Sequence, residues 1–304
     1  MDRSNPFFKQ VELLIAALPL VAKQKCFALK GGTAINLFVR DLPRLSVDID
    51  LAYLPLKDRD TSLAEIDSAL RSIAVDIENK LSSQVTKSVL RGTGKVIKLI
   101  VTRNGSIIKI EISPVLRGSV FESGLKNISP RAEEYFGYVE APILSYDDLY
   151  AGKLCAALDR QHPRDIFDIK LLLEDTGITE SLKNAFLVYL IGHNRPMAEL
   201  LEPNFIDLQD SFTAEFEGMT FESVSLKELE ETRVRLVEEI RKALDDKDKN
   251  FLLSVKKGEP EWDLLSIEHA RELPSVKWKL YNISRMNKSK GQEAYEKLRD
   301  ILWR

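Results

Sequence analysis

The sequence contains little cysteine and histidine, with two and three residues respectively among 304. Cys26 and Cys155 lie far apart and no histidines cluster near them, so neither a disulfide framework nor a zinc site is expected. A reducing cytoplasm is the expected compartment. The chain also lacks a long hydrophobic run, because residues 11–22 are too few to cross a bilayer and include Glu12 and Pro19. No association with a membrane is therefore expected.

The chain also lacks a large excess of charge of either sign. Its 44 basic and 47 acidic residues give a net charge of −3, so any surface that binds nucleic acid must be local. A hydrophobic content of 44% with 30% charged residues is typical of a globular protein and excludes a disordered chain. The length suffices for one large domain or two ordinary ones.

Hydrophobic patterning divides the chain into two parts. The first part predicts helices and strands in alternation, then a run of strands separated by hairpin turns at residues 92–94 and at Asn104–Gly105. The second part has almost entirely helical spacing. We therefore predict an α+β domain with a mixed or antiparallel sheet over residues 1–144, followed by a mostly helical domain over residues 145–304.

The segment from Leu45 to Ala52, L-S-V-D-I-D-L-A, alternates apolar and polar residues. Because a strand has a period of two, Asp48 and Asp50 are predicted to share one face, with a hydrophobic face behind them. Magnesium is often bound by one or two carboxylates, with substrate phosphates and water completing its shell. The pair therefore predicts a magnesium and nucleotide site. The alternative is that both carboxylates only hydrate an exposed strand face.

A second predicted strand also alternates apolar and polar residues, and it carries another carboxylate at a polar position. Lys109, Glu111 and Ser113 alternate with isoleucines and are predicted to share a polar face. If this strand lies beside the strand of Asp48, Glu111 joins the two aspartates. Three carboxylates would suit two metal ions about 3.5–4 Å apart. The alternative for Glu111 is an ordinary hydrated sheet surface.

Gly31, Gly32 and Thr33 lie between a predicted strand and a predicted helix. Glycine lets the backbone approach a ligand closely, and a helix that begins at Thr33 would direct free N–H groups at an anion. The turn therefore predicts a phosphate-binding site. The alternative is an ordinary strand-to-helix turn in which Thr33 caps the helix.

A third cluster of charged residues lies in the helical part. Lys153 falls in the middle of a predicted helix, and Asp165 and Asp168 share one face of the next helix because they are three residues apart. Arg160 and Arg164 lie nearby in the sequence. The cluster predicts either a lysine that reaches into a cleft or a structural network of ion pairs.

The last part of the chain has a local excess of basic residues. Between Lys277 and Arg299 there are seven basic residues and two acidic ones, with Trp278 and Tyr281 interleaved. This pattern predicts either a surface for the phosphates of RNA or a hydrated helix face with aromatic residues in the core.

Three motifs, in this order, resemble those of the AbiEii/AbiGii nucleotidyltransferase-like toxin family. The first combines L-K-G-G-T-A at 29–34 with L-P-R-L-S-V-D-I-D-L at 42–51. The second is K-I-E at 109–111. The third combines K-L-C-A-A-L-D-R at 153–160 with R-D-I-F-D-I at 164–169.

The resemblance spans about residues 26–282 and implies a polymerase-β-like nucleotidyltransferase domain with a helical C-terminal domain. It implies a toxin of a toxin–antitoxin or phage-defence system, with a cognate antitoxin as a partner. The implied cofactor is Mg²⁺, with Mn²⁺ as an alternative, and the implied substrates are an NTP and RNA, foremost the 3′ end of tRNA. Transfer to a protein or small-molecule hydroxyl, or a catalytically silent module that binds RNA or antitoxin, are the alternatives.

The resemblance also implies roles for individual residues by their position in the motifs. The implied nucleotide-binding residues are Gly31, Gly32, Thr33, Ser46 and Lys153. The implied metal ligands are Asp48, Asp50 and Glu111, with Glu111 either a ligand or a base. Asp168 is implied to act near the attacking hydroxyl or to orient the cluster.

Overall fold

A computed structural model of the protein describes residues 5–304, which form seven strands and thirteen α-helices. The strands are β1 (Phe27–Lys30), β2 (Asp48–Tyr53), β3 (Gln84–Val89), β4 (Val96–Arg103), β5 (Ser106–Ile112), β6 (Gly124–Asn127) and β7 (Glu140–Ile143). The helices are α1 (Pro6–Val21), α2 (Gly31–Ala34), α3 (Arg59–Leu81), α4 (Pro130–Phe136), α5 (Tyr146–Asp159), α6 (Pro163–Asp175), α7 (Glu180–Gly192), α8 (Met197–Leu201), α9 (Gln209–Glu215), α10 (Leu226–Ala243), α11 (Asp246–Lys257), α12 (Pro274–Ser284) and α13 (Lys288–Leu302).

The chain folds as two units. The N-terminal unit contains residues 5–149 together with Glu217–Ser223. The C-terminal unit contains Tyr150–Phe216 and Val224–Arg304. The division predicted at residue 144 falls close to the first of these boundaries, but the return of Glu217–Ser223 was not foreseen.

The returning segment is held by the backbone of the loop that precedes β2. The N–H of Leu45 donates to the carbonyl of Met219 at 2.8 Å, and the N–H of Phe221 donates to the carbonyl of Pro43 at 3.1 Å. Such pairing depends on residues more than 170 positions apart, for which no local pattern in the sequence gives a signal.

The N-terminal unit is built on a seven-stranded sheet in the order β3-β4-β5-β2-β1-β7-β6. The pairs β2–β5 and β1–β7 are parallel and the other neighbours are antiparallel, so the sheet is mixed, which is the first of the two predicted alternatives. α1 and α3 pack against this sheet. The apolar residues of α3 that recur at helical spacing are buried, from Leu63 through Ile66, Leu70 and Ile73 to Ile77.

The hairpin between β4 and β5 follows the sequence signal closely. Asn104 and Gly105 both have positive φ, at 48° and 80°, as a two-residue type I′ turn requires. The turn pairs Arg103 with Ser106 and thereby fixes the whole register, in which Lys98 lies opposite Glu111. The predicted hairpin is confirmed.

β6 and α4 were not predicted. All four residues of β6 are exposed, so this edge strand shows no alternation of apolar and polar positions. α4 has only seven residues and begins with Pro130, so it is too short for a helical period to be recognised.

The C-terminal unit is helical, as predicted. α6 and α10 pack together around a core that includes Ile166, Phe167, Phe216 and Leu229. Within residues 5–304, no helix combines the length and apolar character that crossing a membrane requires.

Tyr53 anchors the end of β2 to α3. Its side chain is fully buried, and its hydroxyl donates to Glu65 Oε2 at 2.6 Å. Burial, together with the neighbouring Glu65 carboxylate, raises the pKa of Tyr53 to about 12. Because the pKa of an unfolded tyrosine is about 10, the contribution of this group to stability is complete below pH 10. It is lost as the pH rises from 10 through 12.

We therefore expect the Tyr53→Phe variant to lose less stability than the wild type between pH 8 and pH 11.5. Urea denaturation at both pH values measures the difference, and Tyr138→Phe, at an exposed tyrosine, is the control. An equal loss of stability in Tyr53→Phe and the wild type would contradict the prediction.

Candidate active site

β2 presents Asp48 and Asp50 on one face of the sheet. Both are half-buried, whereas the alternating Ile49 and Leu51 are 0% and 1% exposed. The predicted alternation is therefore present over Asp48–Leu51, with the carboxylates backed by a hydrophobic core. It does not extend to residues 45–47, which precede β2 and are all buried. Two carboxylates at positions i and i+2 of a strand lie about 7 Å apart along the backbone, close enough to serve one nucleotide.

Glu111 lies directly beside Asp50. β2 and β5 are parallel neighbours, and their register pairs Asp50 with Glu111 and Asp48 with Lys109. Paired residues of adjacent strands point to the same face, so Glu111 joins the aspartates as predicted. Adjacent strands are about 4.8 Å apart, so two facing carboxylates repel unless cations offset their charge.

Lysine residues flank these carboxylates in the same cross-strand row. Lys98 on β4 pairs with Glu111, with Nζ 2.5 Å from Oε1, and Lys30 on β1 is the register partner of Asp50. Within residues 5–304, no three acidic, histidine or cysteine side chains are grouped to hold a metal ion. The role of Glu111 as ligand or base therefore stays a prediction, and it requires Glu111 to leave Lys98.

The glycine turn packs directly against the acidic strand. Gly31 has a φ of 71°, which favours glycine, and a Cβ at this position would overlap Asp50 Oδ2. A Cβ on Gly32 would lie 2.7 Å from Arg44 Nη2 and 3.0 Å from Ser46 Oγ. The two glycines are thus required where the backbone passes closest to the acidic and hydroxyl side chains.

Thr33 connects the turn to β2 and does not cap a helix. α2 begins at Gly31, and the buried Thr33 hydroxyl donates to the carbonyl of Asp48 at 2.6 Å, with Ser46 Oγ 3.0 Å away. The hydroxyl therefore holds Asp48 in place. A contact from Thr33 to a phosphate would come from its backbone.

The sequence patterns alone assign no role to Arg44 or Lys98. The side chain of Arg44 is 2% exposed, and its Nη1 donates to the carbonyl of Leu45 at 2.8 Å. Arg44, Ser46, Asp48 and Asp50 are each two positions apart. This spacing is the feature of the sequence that could have grouped Arg44 with the site residues. For Lys98 the signal was the two-residue turn, which places Lys98 opposite Glu111.

The donor set of this face fits a hard divalent cation. Asp48 and Asp50 offer carboxylate oxygens, and the backbone of Gly31 packs closely against Asp50 Oδ2. Magnesium sites that rely on substrate phosphates need only one or two carboxylates. Asp48 and Asp50 are therefore the residues that would hold the ion.

The C-terminal unit contains the third predicted cluster as a buried ion-pair network. Lys153 Nζ lies 2.8 Å from Asp165 Oδ1 and 2.9 Å from Asp168 Oδ2, and these three side chains are at most 5% exposed. Arg160 donates to both oxygens of Asp165, at 2.5 and 2.9 Å. The network joins α5 to α6, and it matches the structural alternative of the sequence analysis.

Burial alone would raise the pKa of the Asp165 carboxyl. The charges of Lys153 and Arg160, and the hydrogen bonds that they donate, outweigh burial and hold this pKa well below its ordinary value. Asp165 is therefore ionised in the folded protein throughout the neutral range. Its contribution to stability is lost only as the pH falls through the depressed pKa.

Replacing Lys153 with methionine is expected to destabilise the protein by about 3–5 kcal/mol, because it leaves the carboxylate of Asp168 buried without this cation. Urea denaturation measures the loss. Lys170→Met is the matched control, since Lys170 lies on α6 in an i,i+4 pair with Glu174, which contributes about 0.5 kcal/mol. Equal stability of the two variants would show that the network does not support the fold.

Residues 12–280 match the sequence model of AbiEii, described as a nucleotidyl transferase toxin of a type IV toxin–antitoxin system. The chain belongs to this family. It is therefore a nucleotidyltransferase, and the resemblance inferred from its three motifs is confirmed.

Among solved structures, the AbiEii-family chain is similar to MenT4, a nucleotidyltransferase toxin from Mycobacterium tuberculosis H37Rv. The TM-score is 0.57 at 15% identity, and the alignment covers 90% of this chain and 92% of MenT4. At this identity the similarity supports the fold, and it confirms the predicted nucleotidyltransferase architecture. The sequence matches no curated protein.

Proposed function

We propose that this AbiEii-family toxin acts in the cytoplasm and transfers an NMP group from an NTP to the 3′ end of tRNA. In this proposal the reaction depends on Mg²⁺, with Mn²⁺ able to replace it, and a cognate antitoxin counteracts the toxin. The observation that carries the proposal is the packing of the Gly31–Gly32 turn against Asp50, beside Asp48 on the same strand face.

Different residues of this face would bind different parts of the nucleotide. Gly31 and Gly32 let the triphosphate approach the backbone, and Ser46 offers a hydroxyl next to Gly32. Asp48 and Asp50 would hold the metal ion. When bound, the ion supplies positive charge to the α-phosphate and to the departing pyrophosphate.

The transfer is an attack of the terminal tRNA hydroxyl on the α-phosphorus. A new P–O bond forms while the bond to pyrophosphate breaks, and the hydroxyl loses its proton. Glu111 is proposed either to accept that proton or to serve as an additional ligand. Either role needs a shift of Lys98, whose ammonium group then becomes available to a phosphate.

Lys153 and Asp168 stay in the proposed catalytic set, as the family motif implies, with Lys153 assigned to an NTP phosphate and Asp168 to the attacking hydroxyl. The two residues also bind each other inside the C-terminal unit. A variant that keeps its stability but loses transfer would support a catalytic role, whereas a loss of both would support a structural one.

The test incubates the protein with each α-labelled NTP in the presence of total tRNA, of protein, or of a small-molecule extract. We expect label in the tRNA fraction with at least one NTP, in the presence of Mg²⁺ and not after chelation. Label in the protein or metabolite fraction would show that the acceptor is a protein or a small molecule and not tRNA. No labelled RNA, or equal labelling by Asp50→Ala, would refute the proposal.

A further inference from the structure

One face of α12 carries two aromatic rings that stack on each other in solvent. The ring centroids of Trp278 and Tyr281 lie 5.7 Å apart with an angle of 24° between their planes. The two side chains are 55% and 49% exposed. Large aromatic residues gain stability mainly by burial, so a stacked pair left in water is characteristic of a binding surface.

Basic residues follow this aromatic pair in the sequence, from the end of α12 to the start of α13. The guanidinium of Arg285 lies 5.4 Å from the ring centroid of Tyr281, and its Nη1 donates to the Tyr281 hydroxyl at 2.7 Å. Lys288 and Lys290 follow at the first turn of α13, and both are exposed. Cations are disfavoured at a helix N-terminus because the helix dipole is positive there. An anion bound at the start of α13 would offset this unfavourable interaction.

Most of the other basic residues in this part of the chain have structural partners. Lys277 pairs with Glu272 at 2.7 Å, and Arg299 pairs with Asp300 at 2.8 Å. Lys279 donates to two backbone carbonyls, and burial lowers its pKa to about 8. By contrast, Lys288 and Lys290 contact no carboxylate within 4.0 Å among residues 5–304. The exposed lysines that lack such a partner and follow the aromatic pair most closely in the sequence are therefore Lys288 and Lys290.

We infer that Trp278, Tyr281, Arg285, Lys288 and Lys290 form an aromatic-basic surface that binds single-stranded RNA. Unpaired bases would stack on the two rings, and phosphates would contact the three cations. Stacking needs only the face of a base, so the surface would tolerate many sequences. The inference extends the proposed function, in which RNA is the acceptor, but it concerns binding and is tested without an NTP.

The experiment measures fluorescence anisotropy of a labelled 12-nucleotide RNA with the full chain. Trp278→Ala and Tyr281→Ala are each expected to weaken binding roughly 5- to 100-fold, whereas Trp278→Phe stays within about 3-fold of the wild type. The matched control is Trp303→Ala. Trp303 is 48% exposed and lies beneath Lys249, but within residues 5–304 no second ring stacks on it.

The salt dependence of binding tests the charged part of the surface. Lys288→Gln combined with Lys290→Gln is expected to reduce the slope of log Kd against log salt by about 1 to 2. An RNA duplex of equal length is expected to bind more weakly, because its bases are already stacked.

Equal affinities of Trp278→Ala and Trp303→Ala for RNA would overturn the inference, as would equal binding of duplex and single strand. If Trp278→Ala bound RNA normally but lost a protein partner, the surface would be a protein interface and the inference would be wrong. The two proposals can be distinguished. If Trp278→Ala weakens RNA binding but the wild type transfers no nucleotide, the RNA-binding surface is supported and the proposed function is refuted.

Discussion

Replacing Asp50 with asparagine is expected to lower nucleotide transfer by about 1,000-fold or more. The change keeps the size of the side chain but removes the charge that would bind the ion. Metal coordination contributes several kcal/mol to transition-state stabilisation, and each 1.4 kcal/mol is a factor of ten in rate. Asp48→Asn is expected to act in the same direction. Transfer of labelled NMP under single-turnover conditions measures both effects.

Urea denaturation of each variant separates the loss of a metal ligand from misfolding. Asp50 faces Glu111 in register and is also the register partner of Lys30, so the isosteric asparagine changes one repulsive and one attractive neighbour. Asp60→Asn, at an exposed position of α3, is the matched control and is expected to retain full activity. An Asp50→Asn variant that retains more than a tenth of the wild-type rate would show that this carboxylate is not a metal ligand.

Replacing Gly31 with alanine is expected to reduce transfer by at least about 100-fold. The added methyl group would overlap the Asp50 carboxylate, so either this side chain or the turn must move. A displacement of about 1 Å at a reacting centre is enough for such a loss. Transfer activity and the apparent affinity for the NTP, measured by titration, are both expected to fall.

Gly94→Ala separates this effect from general backbone strain. Gly94 has a φ of 67°, close to the 71° of Gly31, but a Cβ there meets no atom within 4 Å. Both variants are therefore expected to lose about 1–2 kcal/mol of unfolding free energy, because alanine is strained in the left-handed conformation. Only Gly31→Ala is expected to disturb the site. Equal activity of the two variants would show that the close approach of Gly31 to Asp50 has no role in transfer.

Patterns with a short period predicted the acidic face well. The alternation in β2 gave the common face of Asp48 and Asp50, and the Asn104–Gly105 turn gave the hairpin that carries Glu111. Both signals are local, because the phase of a strand and the type of a two-residue turn depend on adjacent residues. The register between β2 and β5, which brings Glu111 to Asp50, could only be assumed.

Contacts between distant residues were not predictable in the same way. The pairing of Lys98 with Glu111 was not predicted, although its register follows from the turn. The hydroxyl of Thr33 binds the carbonyl of Asp48, whereas the alternative prediction had Thr33 capping a helix. The burial of Lys153 was not decided by the sequence, since a lysine in the middle of a helix can reach water or a carboxylate equally well. Only packing distinguishes these cases.

The basic excess near the C-terminus shows the same limitation. The count of basic residues from Lys277 to Arg299 could not separate side chains with structural partners from those left for a ligand. The structure makes that separation, because Lys279 binds backbone carbonyls whereas Lys288 and Lys290 lie at the start of α13. Charge patterning in a sequence therefore sets an upper limit on the size of a binding surface.

The most direct test of the proposed site is a crystal structure with Mn²⁺ and a non-hydrolysable NTP, in which anomalous scattering locates the metal. We expect a manganese ion about 2.1 Å from carboxylate oxygens of Asp48 and Asp50, with the triphosphate against Gly31 and Gly32. An ion and a triphosphate bound elsewhere, with both aspartates free of metal, would contradict the assignment of this strand face to nucleotide transfer.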